Sequence, residues 1–118
     1  MSTAASRASL RPVVESTPTT AATLLQRARE QELAGSLADA ITGYEAAIAE
    51  AEMSGEARPR SEAQRRLAVV RHRRGERDAA VALCQQSLVV ATDVGDTVLA
   101  GEALNTLAMA REEIQAAL

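Results

Sequence analysis

The sequence predicts an all-α fold, a stack of antiparallel helical hairpins with two full repeats and one additional helix. Three observations carry that prediction. Residues recur at a spacing of 40: Gly35 as Gly75, Gly55 as Gly95, Ala28 as Ala68 and Ala108, Ala40 as Ala80, and Ala51 as Ala91. From Ala21 onward apolar residues are spaced three and four apart, which is the helical period. The valine pairs Val69-Val70 and Val89-Val90 are embedded in longer helical patterns, so no strand is expected. A fixed period of this length signals stacked supersecondary units, whose usual work is to hold a partner.

Residues 1–19 are rich in Ser, Thr and Pro and read as a disordered leader, with the repeat domain spanning 20–118. The first helix is expected over 20–34 and ends at Gly35, where a left-handed residue costs glycine little. Ser36 with Asp39 resembles a capping box and opens a second helix over 37–53. Pro59 falls near the start of a third, over 60–74, where its missing donor does no harm. Gly75 marks the next turn, before a fourth helix over 77–93. Asp96 is placed to cap a fifth, over 97–117.

Composition narrows the classes of function. A chain of 118 residues with 47% hydrophobic and 25% charged content suits one soluble domain. Tyr44 is the only aromatic residue, so Ala, Leu, Val and Ile must build the core, and no aromatic platform exists for stacking nucleic-acid bases. With a net charge of -3, nucleic acid is not expected as a partner. All 13 basic residues are arginine, a bias that genome codon usage explains better than a need for planar, bidentate contacts. No segment approaches the roughly 20 apolar residues that span a bilayer. Nor does the first stretch contain a signal-peptide core. A cytoplasmic protein without membrane contact is the expectation, and the single Cys84 fits a reducing compartment.

The stretch LAVVRHRRGERDAAVALCQQSL, Leu67 to Leu88, resembles the tetratricopeptide repeat. With Gly75 as the turn glycine, Leu67 and Ala68 form the large-small pair of the first helix. Ala80 is then the first small residue of the second helix, Cys84 its bulky position and Ser87 the next small one. Gly35, Ala28, Ala40, Tyr44 and Ala47 match in the first unit, whereas Arg27 stands where a large apolar residue is expected. The endings ATDVGD (Ala91 to Asp96) and AEMSGE (Ala51 to Glu56) are similar to those of the longer repeats in bacterial transcriptional regulators and kinesin light chains. The resemblance implies a right-handed solenoid and a non-enzymatic, protein-binding scaffold, part of a larger bacterial regulator. Ala28, Ala40, Ala68, Ala80 and Ala108 are then structural, since bulk would force crossing helices apart.

By the same pattern the first helices line a concave groove. Its partner-contacting residues are expected to be Arg29, Arg65, Val69, His72, Arg73, Asn105 and Met109, with Ala22, Leu25, Glu32, Glu62, Glu102 and Glu112 alongside. Between Arg58 and Arg77 the chain holds eight arginines against Glu62 and Glu76. One reading is forked recognition of an acidic peptide by Arg65 and Arg73. The other is pairing with the acidic residues of neighbouring helices, among them Glu45, Glu52 and Glu102.

Catalysis, a metal and a cofactor are not expected. His72 is read as a surface histidine among arginines and Cys84 as a buried, inert thiol; no phosphate loop or metal-ligand spacing appears. The fifth helix either closes the stack as a terminal cap, or the chain is a fragment of a longer repeat protein, or its exposed end docks on another copy. Leu104, Leu107, Ile114 and Leu118 make one side apolar and point to self-association as a homodimer through this helix.

Overall fold

The computed structural model describes the backbone of residues 19–117 and the side chains of residues 19–112. The leader over 1–19 lies outside the described residues apart from its last residue. Five helices follow one another: α1 (Ala21–Leu33), α2 (Leu37–Ser54), α3 (Ala57–Arg73), α4 (Arg77–Asp93) and α5 (Thr97–Ala117). No strand occurs among the described residues. Each helix packs on its neighbour in sequence, and the first helices of successive units, α1 with α3 and α3 with α5, also touch. That packing is consistent with a helical repeat.

The turns repeat as closely as the sequence does. Gly35, Gly55, Gly75 and Gly95 adopt φ of 84°, 72°, 79° and 71°, the left-handed region. Beside each one, a six-residue backbone bond closes the helix: Ser36 to Gln31, Glu56 to Ala51, Glu76 to Arg71 and Asp96 to Ala91, all at 2.9 Å. This is the glycine-terminated helix end, in which orphan carbonyls find donors just past the last turn.

Helix starts depart more from expectation. Thr20 caps α1, its Oγ1 accepting from the Thr23 amide at 3.1 Å. Asp96 caps α5 as expected, accepting from the Leu99 amide at 3.0 Å. The Ser36 side chain makes no cap hydrogen bond, so the anticipated capping box is not formed; Asp39 contributes only an acid in the first turn. Helix α3 begins at Ala57 and not at residue 60. Pro59 is thus its third residue, still among the first amides that have no partner within the helix.

Burial follows the 40-residue period. Ala28 and Ala68 are both 0% exposed, as are Tyr44 and Cys84. The face of α3 that meets α2 carries Ala63, Leu67 and Val70; forty residues on, Ala103, Leu107 and Ala110 bury the same face of α5. One core cluster joins Leu25, Ala28, Tyr44, Ala63, Leu67 and Val70, and a second joins Ala68, Ala80, Cys84 and Leu107. Leu107, expected at a self-association surface, is therefore a core residue: it occupies the position of Leu67 and packs on unit two.

Among the described residues no helix is long and apolar enough to cross a membrane. Also among them, no three His, Cys, Asp or Glu side chains gather as a metal site.

Candidate interaction surface

Helices α1, α3 and α5 bring the expected groove residues into rows 40 positions apart, and exposure rises along the stack. In one row Arg29 and Val69 are half-buried and Met109 is 40% exposed. In another, Leu25 is buried in the core, Arg65 is largely covered and Asn105 is exposed. Leu25 therefore cannot serve a groove ligand. His72 is half-buried and not a fully exposed surface histidine, while Arg73 is exposed.

The arginines of α3 are mostly engaged within the chain. Arg65 Nη2 lies 3.1 Å from Glu102 of α5, and Arg73 Nη1 lies 3.5 Å from Glu32 of α1. These two pairs run between successive first helices. Arg60 reaches Glu52 at 3.1 Å and Arg71 reaches both Glu45 (3.2 Å) and Glu76 (2.9 Å). Arg66 pairs with Glu62 one turn away at 2.9 Å. Arg58, in the first turn of α3, reaches Asp96, the cap of α5, at 3.0 Å. Of the eight arginines from Arg58 to Arg77, only Arg77 has no ion pair among the described residues. Pairing with neighbouring acids thus accounts for the basic stretch electrostatically.

These contacts set the local ionisation. The Leu99 amide, with help from Arg58, holds the Asp96 carboxyl below its usual range, and the Arg71 guanidinium does the same for Glu76. Tyr44 is fully buried and donates to Glu32 Oε1 at 2.6 Å. Burial first, and the Glu32 hydrogen bond second, push its phenol pKa upward. Glu32 thus accepts from Tyr44 while facing Arg73, which ties the bulky residue of unit one to the ion pair between α1 and α3. Sequence spacing gave no hint of this link, since Glu32 and Tyr44 lie on different helices.

Cys84, also fully buried, has its thiol pushed up to about 11 by burial. Such a thiol is protonated at neutral pH and is a poor nucleophile.

A second surface is apolar. Leu104 on α5 is 50% exposed and Ala108 is exposed as well, although its counterparts Ala28 and Ala68 are completely buried. Ala108 is therefore not the packed structural alanine that the repeat pattern implies. In units one and two the second helix of the hairpin covers that position. Ile114 and Leu118, the other two apolar positions expected here, lie outside the described side chains.

No family model, curated protein or solved structure matches this chain.

Proposed function

We propose that this chain is a right-handed, tetratricopeptide-type solenoid that works as a protein-interaction scaffold within a larger bacterial regulator. It holds a peptide or partner-protein segment along the row of its first helices. The observation that carries this reading is the pair of cross-helix ion pairs, Arg65 with Glu102 and Arg73 with Glu32, beside the half-buried Val69 and the exposed Met109.

The ligand chemistry follows from that pairing. Each pair joins one exposed and one largely covered partner, Glu102 at 44% with Arg65 at 14% and Arg73 at 51% with Glu32 at 19%, so Arg73 is the arginine that a ligand reaches from solvent. A carboxylate from a ligand can take over such an arginine at little net cost, because one acid replaces another. Exchange of this kind gives orientation and specificity more than affinity. Affinity must then come from apolar contact with Val69 and Met109, so the expected ligand is an amphipathic segment bearing an acidic residue. His72 and Asn105 flank the same row and complete the contact set with Arg29.

The test is a peptide array probed with wild type, an Arg65→Ala/Arg73→Ala variant and a Val69→Asp/Met109→Asp variant. Circular dichroism on all three confirms that helix content is kept. Acidic amphipathic peptides are expected to bind wild type and to lose at least tenfold in affinity with either variant. Equal binding by all three proteins sinks the groove reading.

A further inference from the structure

The two carboxylate oxygens of Glu32 are divided between a buried donor and an exposed one. Tyr44 donates its hydroxyl to Oε1 at 2.6 Å, while Oε2 lies 3.5 Å from Arg73 Nη1. Only the first is a close contact. An O–H bond to a carboxylate normally measures about 2.5 to 2.7 Å, whereas 3.5 Å is well beyond the roughly 2.7 to 2.9 Å of a charge-assisted N–H bond. Tyr44 is fully buried and Glu32 largely covered, but Arg73 is exposed. Glu32 is therefore anchored on the core and holds Arg73 loosely.

We infer that in the peptide-binding role proposed above, on which this inference rests, Tyr44 is a positioning residue for the ligand. By occupying Glu32 Oε1 it keeps Glu32 from gripping Arg73 with both oxygens, and so leaves the guanidinium fork open to a ligand carboxylate. A guanidinium presents five donors in a planar fork, which a carboxylate engages best through two parallel bonds. With one oxygen committed to Tyr44 and the other at 3.5 Å, Glu32 offers Arg73 no such pair.

The surroundings keep this division in place. Glu32 lies in the last turn of α1, and its carbonyl accepts from the Gly35 amide at 3.0 Å, so its backbone is not free to move towards α3. Burial and the bond to Glu32 both raise the Tyr44 pKa, which keeps the phenol a donor. The combination occurs once. Forty residues on, Tyr44 and Glu32 become Cys84 and His72, and the counterparts of Arg73 are Leu33 and Glu113. Tyr44 is also the only tyrosine, so no second phenol holds Glu102, and that acid comes to 3.1 Å from Arg65.

The test uses the acidic peptide that wild type selects most strongly from the array, and the same peptide with its acid replaced by the amide. Tyr44→Phe keeps the ring in the core and removes only the hydroxyl. It is expected to weaken the acidic peptide by about two- to fivefold, the range of one partly exposed ion pair, and to leave the amide peptide unchanged. Glu32→Gln removes the competing charge and is expected to tighten the acidic peptide; adding Tyr44→Phe to it should then change nothing. A hydroxyl that merely supports the core would instead weaken both peptides alike, with or without Glu32→Gln. That result overturns the inference, as does a Tyr44→Phe protein that binds the acidic peptide like wild type, and both spare the groove reading. If circular dichroism shows that Tyr44→Phe loses helix content, Glu32→Gln alone decides, and acidic-peptide binding no tighter than wild type overturns the inference. Failure of the groove reading itself shows earlier, as a wild type that binds acidic and amide peptides equally, and the role of Tyr44 falls with it.

Discussion

Ser61 and Ser87 form a reciprocal bridge inside the second hairpin that the first hairpin lacks. Ser87 Oγ donates to the Ser61 carbonyl at 2.7 Å, and Ser61 Oγ lies 3.0 Å from the Ser87 carbonyl and 2.9 Å from the other hydroxyl. Both serines are 1% exposed, and their counterparts forty residues earlier, Ala21 and Ala47, are 0% exposed. The molecule thus contains its own comparison, two solutions to one crossing. Removing one hydroxyl loses a bond of about 1 kcal/mol net and leaves the other hydroxyl with fewer partners. Replacing both restores the arrangement of unit one. Ser61→Ala and Ser87→Ala are each expected to destabilise by about 1 kcal/mol, whereas the double variant should be no less stable than either. Chemical denaturation of all four proteins checks this; a double variant that loses the sum of the two singles would refute it. Gln64, next along this face, is 2% exposed with no partner for Oε1. It stands where unit one has Leu24, and nothing in the surrounding contacts explains the exchange.

Gly43 decides how closely α1 and α2 approach. A Cβ there would lie 3.0 Å from the Ala28 Cβ and 3.3 Å from its Cα. The alanine has no rotamer with which to move aside, so α1 as a whole would have to shift. Unit two carries Leu83 at the corresponding position, half-buried against both core clusters. The expected effect of Gly43→Leu is therefore net destabilisation: overpacking costs ~1 to 3 kcal/mol and outweighs the helix-propensity gain of roughly 0.8 kcal/mol. A denaturation midpoint at or above that of wild type would show that α1 and α2 separate freely.

The same contrast shows what the sequence made legible. Turn glycines and recurring alanines marked all five helices and their order, because a left-handed residue and a close crossing each accept few side chains. The deviations were harder to see. Ser36 was indistinguishable from a capping serine by type, and only geometry shows its hydroxyl unused. Leu107 and Leu104 looked alike as apolar residues of α5, yet comparison with Leu67 and Gln64 assigns one to the core and the other to the open side. Pairing of Arg65 with Glu102, across 37 residues of chain, depends on how helices stack and leaves no local pattern.

At the scale of the whole molecule, the polar front end explains the departure at Arg27. Leu67 and Leu107 fill that position in later units because each packs on the second helix of the unit before it, whereas Arg27 faces no described helix and stays in water. Thr23 and Glu30 complete the same polar face, so among the described residues this face of α1 offers no apolar patch to another copy. A stack of repeats remains finite in solution only if at least one end is polar or covered. The consequence can be tested by making unit one resemble unit two. Thr23→Ala, Arg27→Leu and Glu30→Val together give the front the residues of Ala63, Leu67 and Val70. The single chain should still fold, since Arg27 and Glu30 are exposed and all three replacements favour or tolerate helix. With apolar faces at both ends, each copy can then join two others, and association no longer closes. Light scattering of this triple variant is expected to show mass rising steadily with concentration, beyond any species the wild type forms. Salt should do little to reverse it, as the new contacts are apolar. A triple variant with the mass of wild type at every concentration would mean that some other feature than the polar front keeps the stack finite.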